Sequence, residues 1–159
     1  GYTVGSIYMV FDNLADLILQ LNARSLEILT KQLSQVQNEA DPEQCLHQLV
    51  KIYINFTQNH YYRWQMLFEH HSTGNMQLPD WYIEKFESLI TPFETQFKRL
   101  CHSDPQNDRA LAQAFLGGVH GICNMLIPIY HEHESTVDIV ALVDLMSNNF
   151  IRGHLNQIN

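Results

Sequence analysis

The sequence predicts an all-α fold. Three observations carry this. Apolar residues recur at three- and four-residue steps through every long segment. Helix-start signals, Asp41-Pro42 and Ser103-Asp104-Pro105 among them, stand in front of those segments. No segment alternates strictly between apolar and polar residues, as a half-buried strand would. At 159 residues the chain is long enough for one substantial core.

Taken in order, residues 1–12 hold a short patterned stretch. Thr3 can cap a short helix, and Ile7, Tyr8 and Phe11 share one face of it. Asn13, with Asp16 three residues on, has capping-box spacing. From there to about Val36, Leu14, Leu17, Ile18, Leu21, Ile28, Leu29 and Leu33 predict a long amphipathic helix. Asp41 as cap, Pro42 at the first helical position and Gln44 predict the next helix, to about Asn59. Its stripe is Leu46, Leu49, Val50, Tyr53 and Phe56. A further helix is expected over 60–70, and 72–75 reads as a loop. Pro79 and Asp80 open a helix to about Cys101, with a kink or break expected at Pro92, where the ring removes a donor and crowds the preceding turn.

The last two helices are expected from about Gln106 to Ile127, stopping at Pro128, and from a Ser135/Asp138 cap to about Leu155. The first is apolar nearly all round: Leu111, Phe115, Gly118, Ile122 and Met125 make one stripe, and Ala112, Leu116, Val119, Cys123 and Leu126 a second. Such a helix must be covered on two sides. With Leu142, Leu145 and Met146 of the final helix, the first stripe predicts an isologous homodimer face. Gly117 and Gly118 would permit close approach there.

Composition narrows the function classes. Hydrophobic content of 45% and a charged fraction of 16% are those of a globular domain. No apolar run is expected to reach the length of a membrane span, no signal peptide is apparent, and three scattered cysteines fit reduced thiols, so a cytoplasmic location without membrane contact is expected. The net charge is −8, and residues 1–40 carry two cations against four acidic residues, a net −2. These residues alone would repel a phosphate backbone.

Catalytic and metal motifs are not found. His70-His71 and His131-Glu132-His133-Glu134 point neighbouring ligands to different helix faces, so a metal reading is the weaker one and no cofactor is expected. There is no Gly-x-Ser-x-Gly, no phosphate-cradling glycine loop and no Cys-His pair at readable spacing, and no enzyme activity is expected. Tyr61, Trp64 and Phe68, with Trp81, Phe86, Phe93 and Phe97 and with His120, form either an ordinary core or the lining of a cavity.

The order Thr3-Val4-Gly5-Ser6-Ile7-Tyr8, then Phe11, Asn13 and Leu17, resembles the C-terminal half of the helix-turn-helix of tetracycline-repressor-type (TetR) regulators. Gly117-Gly118-Val119-His120-Gly121 resembles the Trp-His-Gly motif of one class of that family's C-terminal domains, with Val119 in place of Trp. Leu14 departs from the family's usual Lys. The resemblance implies that residues 1–36 are the remnant of a DNA-binding domain with its connecting helix, the two preceding helices lying upstream of Gly1. Residues 37–159 would be a helical ligand-binding and dimerisation domain.

It further implies DNA contacts from Thr3, Val4, Gly5, Ser6 and Tyr8, and a pocket lined by Tyr61, Trp64, Phe68, Phe86, Ile90 and His120 for a small apolar or aromatic ligand. Its dimer interface would comprise Leu111, Phe115, Gly118, Ile122, Leu142, Leu145 and Met146. The expected function is a ligand-responsive, DNA-binding transcriptional regulator, a repressor by preference. The alternative is a helical dimer that binds a ligand or protein and never contacts DNA, which the acidic balance and Leu14 favour.

Overall fold

In the computed structural model, residues 11–36, 41–69, 78–101, 105–132 and 138–158 are described, and all seven elements among them are helices. Thr3, Val4, Gly5, Ser6 and Tyr8, expected to contact DNA, lie outside these segments, as do His70, His71 and Ser135.

Helix α1 (Leu14–Ser34) starts where its cap predicts. The Asn13 Oδ1 accepts from the Asp16 backbone amide at 3.0 Å, and the Asp16 carboxylate accepts from the Asp12 amide at 3.2 Å. Its buried face is Leu19, Ala23, Leu26, Leu29 and Leu33, whereas Leu14 and Leu21 are exposed. The sequence stripe was therefore misplaced on the first half of this helix. Two apolar rows run along α1, and the inward one is set by α3 (Tyr61–Glu69) and a later helix, α4 (Asp80–Ser88). Asn22, fully buried, donates to the Met66 carbonyl of α3 at 2.9 Å, which fixes that rotation.

Helix α2 (Pro42–Asn59) is capped by Asp41, which accepts from the Glu43 amide at 3.1 Å, with Pro42 in the first turn. Its buried face is broad, Cys45, Leu46, Leu49, Val50, Tyr53, Ile54 and Phe56, because helices pack on several sides of it. The chain turns at His60 and re-enters helix at once as α3, where the Trp64 amide donates to the His60 carbonyl at 2.8 Å.

The expected single helix from Pro79 to Cys101 is two: α4 and α5 (Thr91–Cys101). The break falls at Leu89 and Ile90, ahead of Pro92. The Pro92 ring would collide with the carbonyl four residues earlier, that of Ser88, and Ser88 is where α4 ends. Pro92 itself sits in the first turn of α5, where its missing N–H costs nothing. Arg109 bridges the break, pairing with Glu94 of α5 at 3.0 Å and Glu87 of α4 at 3.3 Å.

Helix α6 (Pro105–Glu132) runs through Pro128 rather than stopping at it. The carbonyl four residues back belongs to exposed Asn124, where water can replace the lost donor. Its stretch Asn107–Pro128 is long and apolar enough to cross a bilayer by length and composition, which corrects the expectation that no run reaches that length. Here it packs against α5 and α7 (Ile139–Ile158), burying Ala112, Phe115, Leu116, Val119, Cys123 and Ile127. The cap of α7 is Asp138, whose Oδ1 accepts from the Ala141 amide at 3.1 Å.

Phe115 is the clearest correction to the expected dimer face. It is wholly buried in the chain's own core, where its ring lies 5.4 to 6.1 Å from those of Phe97, Phe150 and Phe93. Leu111, Ile122 and Met146 also lean on that core, and Gly118 lies under the Met146 side chain. Leu142 and Leu145 are exposed, together with Met125, Gly117 and Gly121. The uncovered face of α6 thus runs through Gly117, Gly121 and Met125 rather than Phe115, whereas on α7 Leu142 and Leu145 of the expected face are exposed.

Because Phe115 is shared by α5, α6 and α7, Phe115→Ala is expected to cost about 3–5 kcal/mol. Urea denaturation measures this. A loss below about 1 kcal/mol would mean that the ring belongs to an interface rather than the core.

Candidate functional site

A cavity of about 310 Å³ lies between α2, α3, α4 and α6. Helix α2 contributes Tyr53, α3 contributes Phe68, α4 contributes Phe86, and the α4–α5 break contributes Leu89 and Ile90. From α6 come Gln113, Leu116, Gly117 and His120, one or two turns apart on a single face. No lining side chain is charged at neutral pH among the described residues.

Of the residues expected here, Phe68, Phe86, Ile90 and His120 are brought together. Trp64 is not on the wall but directly behind it, and Tyr61 lies apart, against Tyr62. Tyr53, Leu89, Gln113, Leu116 and Gly117 are additional. Tyr53 and Leu116 carried the apolar stripes of their helices, so periodicity marked them as core without distinguishing a core wall from a cavity wall. The Leu89–Ile90 break was the available signal: an interrupted helix leaves side chains that do not close over one another.

The wall is organised by a buried hydrogen-bond chain. The Trp64 indole Nε1–H donates to the Tyr53 hydroxyl at 3.1 Å, and that hydroxyl lies 2.9 Å from Nδ1 of His120. Burial pushes the Tyr53 hydroxyl far above the ordinary phenol range, with the Trp64 bond pulling the other way, so it keeps its proton. Burial also lowers the pKa of His120, which favours the neutral imidazole.

Hydrogen accounting then selects a tautomer. If Nδ1 carried the proton, the Tyr53 oxygen would accept twice and its own hydrogen would be buried without a partner. With Nδ1 as acceptor the indole and hydroxyl hydrogens are both used, and the proton of the imidazole resides on Nε2. The ring also meets two tilted aromatic neighbours. Phe68 lies 4.0 Å from it and Trp64 5.2 Å, centroid to centroid, while Phe68 meets Phe86 edge-on at 5.9 Å.

Nothing in this arrangement generates a nucleophile. Cys123, one turn beyond His120 on α6, is buried, and burial pushes its thiol up to about 11, so it is not a thiolate at neutral pH. No group of three or more metal-ligating side chains gathers among the described residues. The geometry suits reversible binding of a small, mostly apolar molecule.

A second groove, on the other side of α4, is lined by Phe11, Leu17, Leu21 and Ala23 on the α1 side and by Trp81 and Lys85 on α4. Lys85 pairs with Glu27 of α1, and the Thr30 and Ser88 hydroxyls are 3.5 Å apart. The Lys85 ammonium hydrogen-bonded to Glu27 holds its carboxyl below the usual range. Helix α4 therefore presents Phe86 to the cavity and Lys85 to α1.

The sequence matches no protein-family model and no curated protein.

Protonation of His120 supplies the pH dependence. Its folded pKa is lowered from 6.5, so below that value the unfolded chain takes up a proton that the folded chain resists. Stability from this group is full above about pH 6.5 and is lost as the pH falls through the folded pKa. Urea midpoints should fall between pH 7.5 and 5, and should fall less in His120→Gln. Equal falls in the two proteins would place the sensitivity elsewhere.

Proposed function

We propose that the chain is the regulatory part of a homodimeric, ligand-responsive transcriptional regulator of the tetracycline-repressor type. The observation that carries this reading is the placement of α4, one side of which walls an apolar cavity while the other is tied to α1. A molecule entering the cavity presses on Phe86, Leu89 and Ile90. Displacement of α4 passes through the Lys85–Glu27 pair and the Ser88–Thr30 contact to α1, and so to residues 1–13 at its start. In a two-fold dimer, that changes the separation of two DNA-reading heads, which must match half-sites about one helical turn apart.

Support for the homodimer comes from what α6 and α7 leave bare. Leu145 is 59% exposed and Met125 63% exposed. Gly117 and Gly121 stand inside α6 with nothing within 4 Å of where a Cβ would project. Each glycine costs a helix interior about 1 kcal/mol relative to alanine. Gly117 also lines the cavity, while at Gly121 the bare backbone leaves room for close approach of a second copy.

A second reading, a helical dimer that responds to a ligand without touching DNA, is favoured by one specific feature. Leu14, in the first turn of α1, is 64% exposed where the TetR pattern has a phosphate-binding Lys, and the chain is acidic.

The two readings part on one experiment. The full-length gene product is titrated with genomic DNA fragments at several salt concentrations. Sequence-preferring binding that weakens steeply with salt is expected. Leu142→Glu with Leu145→Glu should abolish both this binding and the dimer mass in sedimentation. A dimer without DNA affinity at any salt concentration would overturn the first reading in favour of the second.

A further inference from the structure

The cavity's polar groups specify more than an apolar guest. Along α6, Gln113 and His120 stand seven residues apart, about 10 Å at 1.5 Å per residue, with Leu116 and Gly117 between them. Gln113 is exposed, so it marks the outer end. His120 lies at the other end, backed by Trp64 and Tyr53. Its Nδ1 is occupied by Tyr53, and no hydrogen bond to its Nε2 forms among the described residues.

We propose that the cavity takes an uncharged, planar compound of two-ring size whose hydrogen-bond acceptor, a carbonyl or ether oxygen, receives the Nε2–H of His120. This deepens the ligand-responsive reading above and rests on it. Three features set the class. The volume, about 310 Å³, is roughly twice that of a dry cavity that holds benzene, which gives the two rings. Among the described residues no cation lines the cavity, and with an imidazole held neutral a carboxylate or phosphate is disfavoured there, since a buried anion without a partner is costly. The hydrogen accounting makes His120 a donor, so the matching group on the ligand is an acceptor. A donor-only ligand, an aniline for example, would face N–H with N–H. Polar substituents at the far end are tolerated beside Gln113.

The Trp64–Tyr53 pair acts as a positioning device. Neither touches the ligand's acceptor. Trp64 uses up one lone pair of the Tyr53 hydroxyl, which directs the tyrosine hydrogen to Nδ1 and leaves the imidazole proton on Nε2.

The test uses the full-length protein carrying Trp81→Phe, so that Trp64, in contact with His120, is the sole indole of residues 1–159 and any upstream indole is replaced likewise. Affinities are measured by fluorescence and calorimetry for 2-acetylnaphthalene, its acceptor-free analogue 2-isopropylnaphthalene, and 2-naphthoate. Both neutral probes are expected to bind and quench Trp64. In His120→Phe, affinity for the ketone relative to the hydrocarbon should fall about tenfold, the worth of one hydrogen bond. Tyr53→Phe, which releases Nδ1, should lower the same ratio severalfold, and serves if His120→Phe does not fold.

Naphthoate should bind at least about a hundredfold more weakly than the ketone. If both neutral probes bind but their ratio is unchanged in both variants, the acceptor assignment is overturned and the cavity reading stands. If naphthoate binds as well as the ketone, the neutral-ligand assignment is overturned. If neither neutral probe binds, the cavity reading itself fails.

Discussion

The hydrogen bond from Trp64 to the Tyr53 hydroxyl, and from there to His120, is the constraint on which the rest of the site depends. It joins α3, α2 and α6 at a point where each would otherwise bury a polar atom without a partner. Because the chain runs in one direction, it holds His120 in position and also settles which nitrogen carries its proton. The aromatic rings of Phe68 and Trp64 then keep the imidazole plane from rotating. A polar group that is fully satisfied on one side and open on the other is a pre-organised recognition element.

The second requirement is that a space exist beside that element. It is created by the break between α4 and α5, which Pro92 forces at Ser88 and Arg109 pins from α6. Exposed ion pairs contribute little on their own, so Arg109 is better understood as fixing the angle of the break than as a source of stability. Leu89 and Ile90, at that break, are buried in the core. They also form part of the cavity wall, and α4 is left as a short segment held between the cavity and α1. Short helices with few buried side chains move at low cost, and Tyr82 is the one residue of α4 that is fully buried.

Much of the fold was legible in the sequence because capping and proline chemistry are local. Asn13 and Asp41 begin helices in the residues' own terms, Asp138 caps the last helix where a Ser135 start was expected, and the stripes of α2 and α6 identify a buried face. What was not legible are choices between equivalent faces. Leu14 and Leu21 fit a helical stripe as well as Leu19, Ala23 and Leu26 do. The Asn22 contact to Met66 on α3, together with packing on α4, decides between them. Phe115 fits a dimer stripe by spacing, yet its placement depends on where Phe97 and Phe150 arrive from distant segments. The site was half legible for the same reason. His120, Phe68, Phe86 and Ile90 could be grouped as aromatic and polar residues on core helices, but the role of Tyr53 depends on a contact 67 residues away.

The central claim is that His120 is neutral and fixed as the Nε2–H donor by Tyr53. Imidazole nitrogen NMR of protein labelled with ¹⁵N in histidine tests it most directly. At pH 7 the His120 Nδ1 should resonate as an unprotonated, pyridine-type nitrogen and Nε2 as a protonated, pyrrole-type one, with this preference lost in Tyr53→Phe. An imidazolium at pH 7, or a proton on Nδ1 in the wild-type protein, would contradict the account.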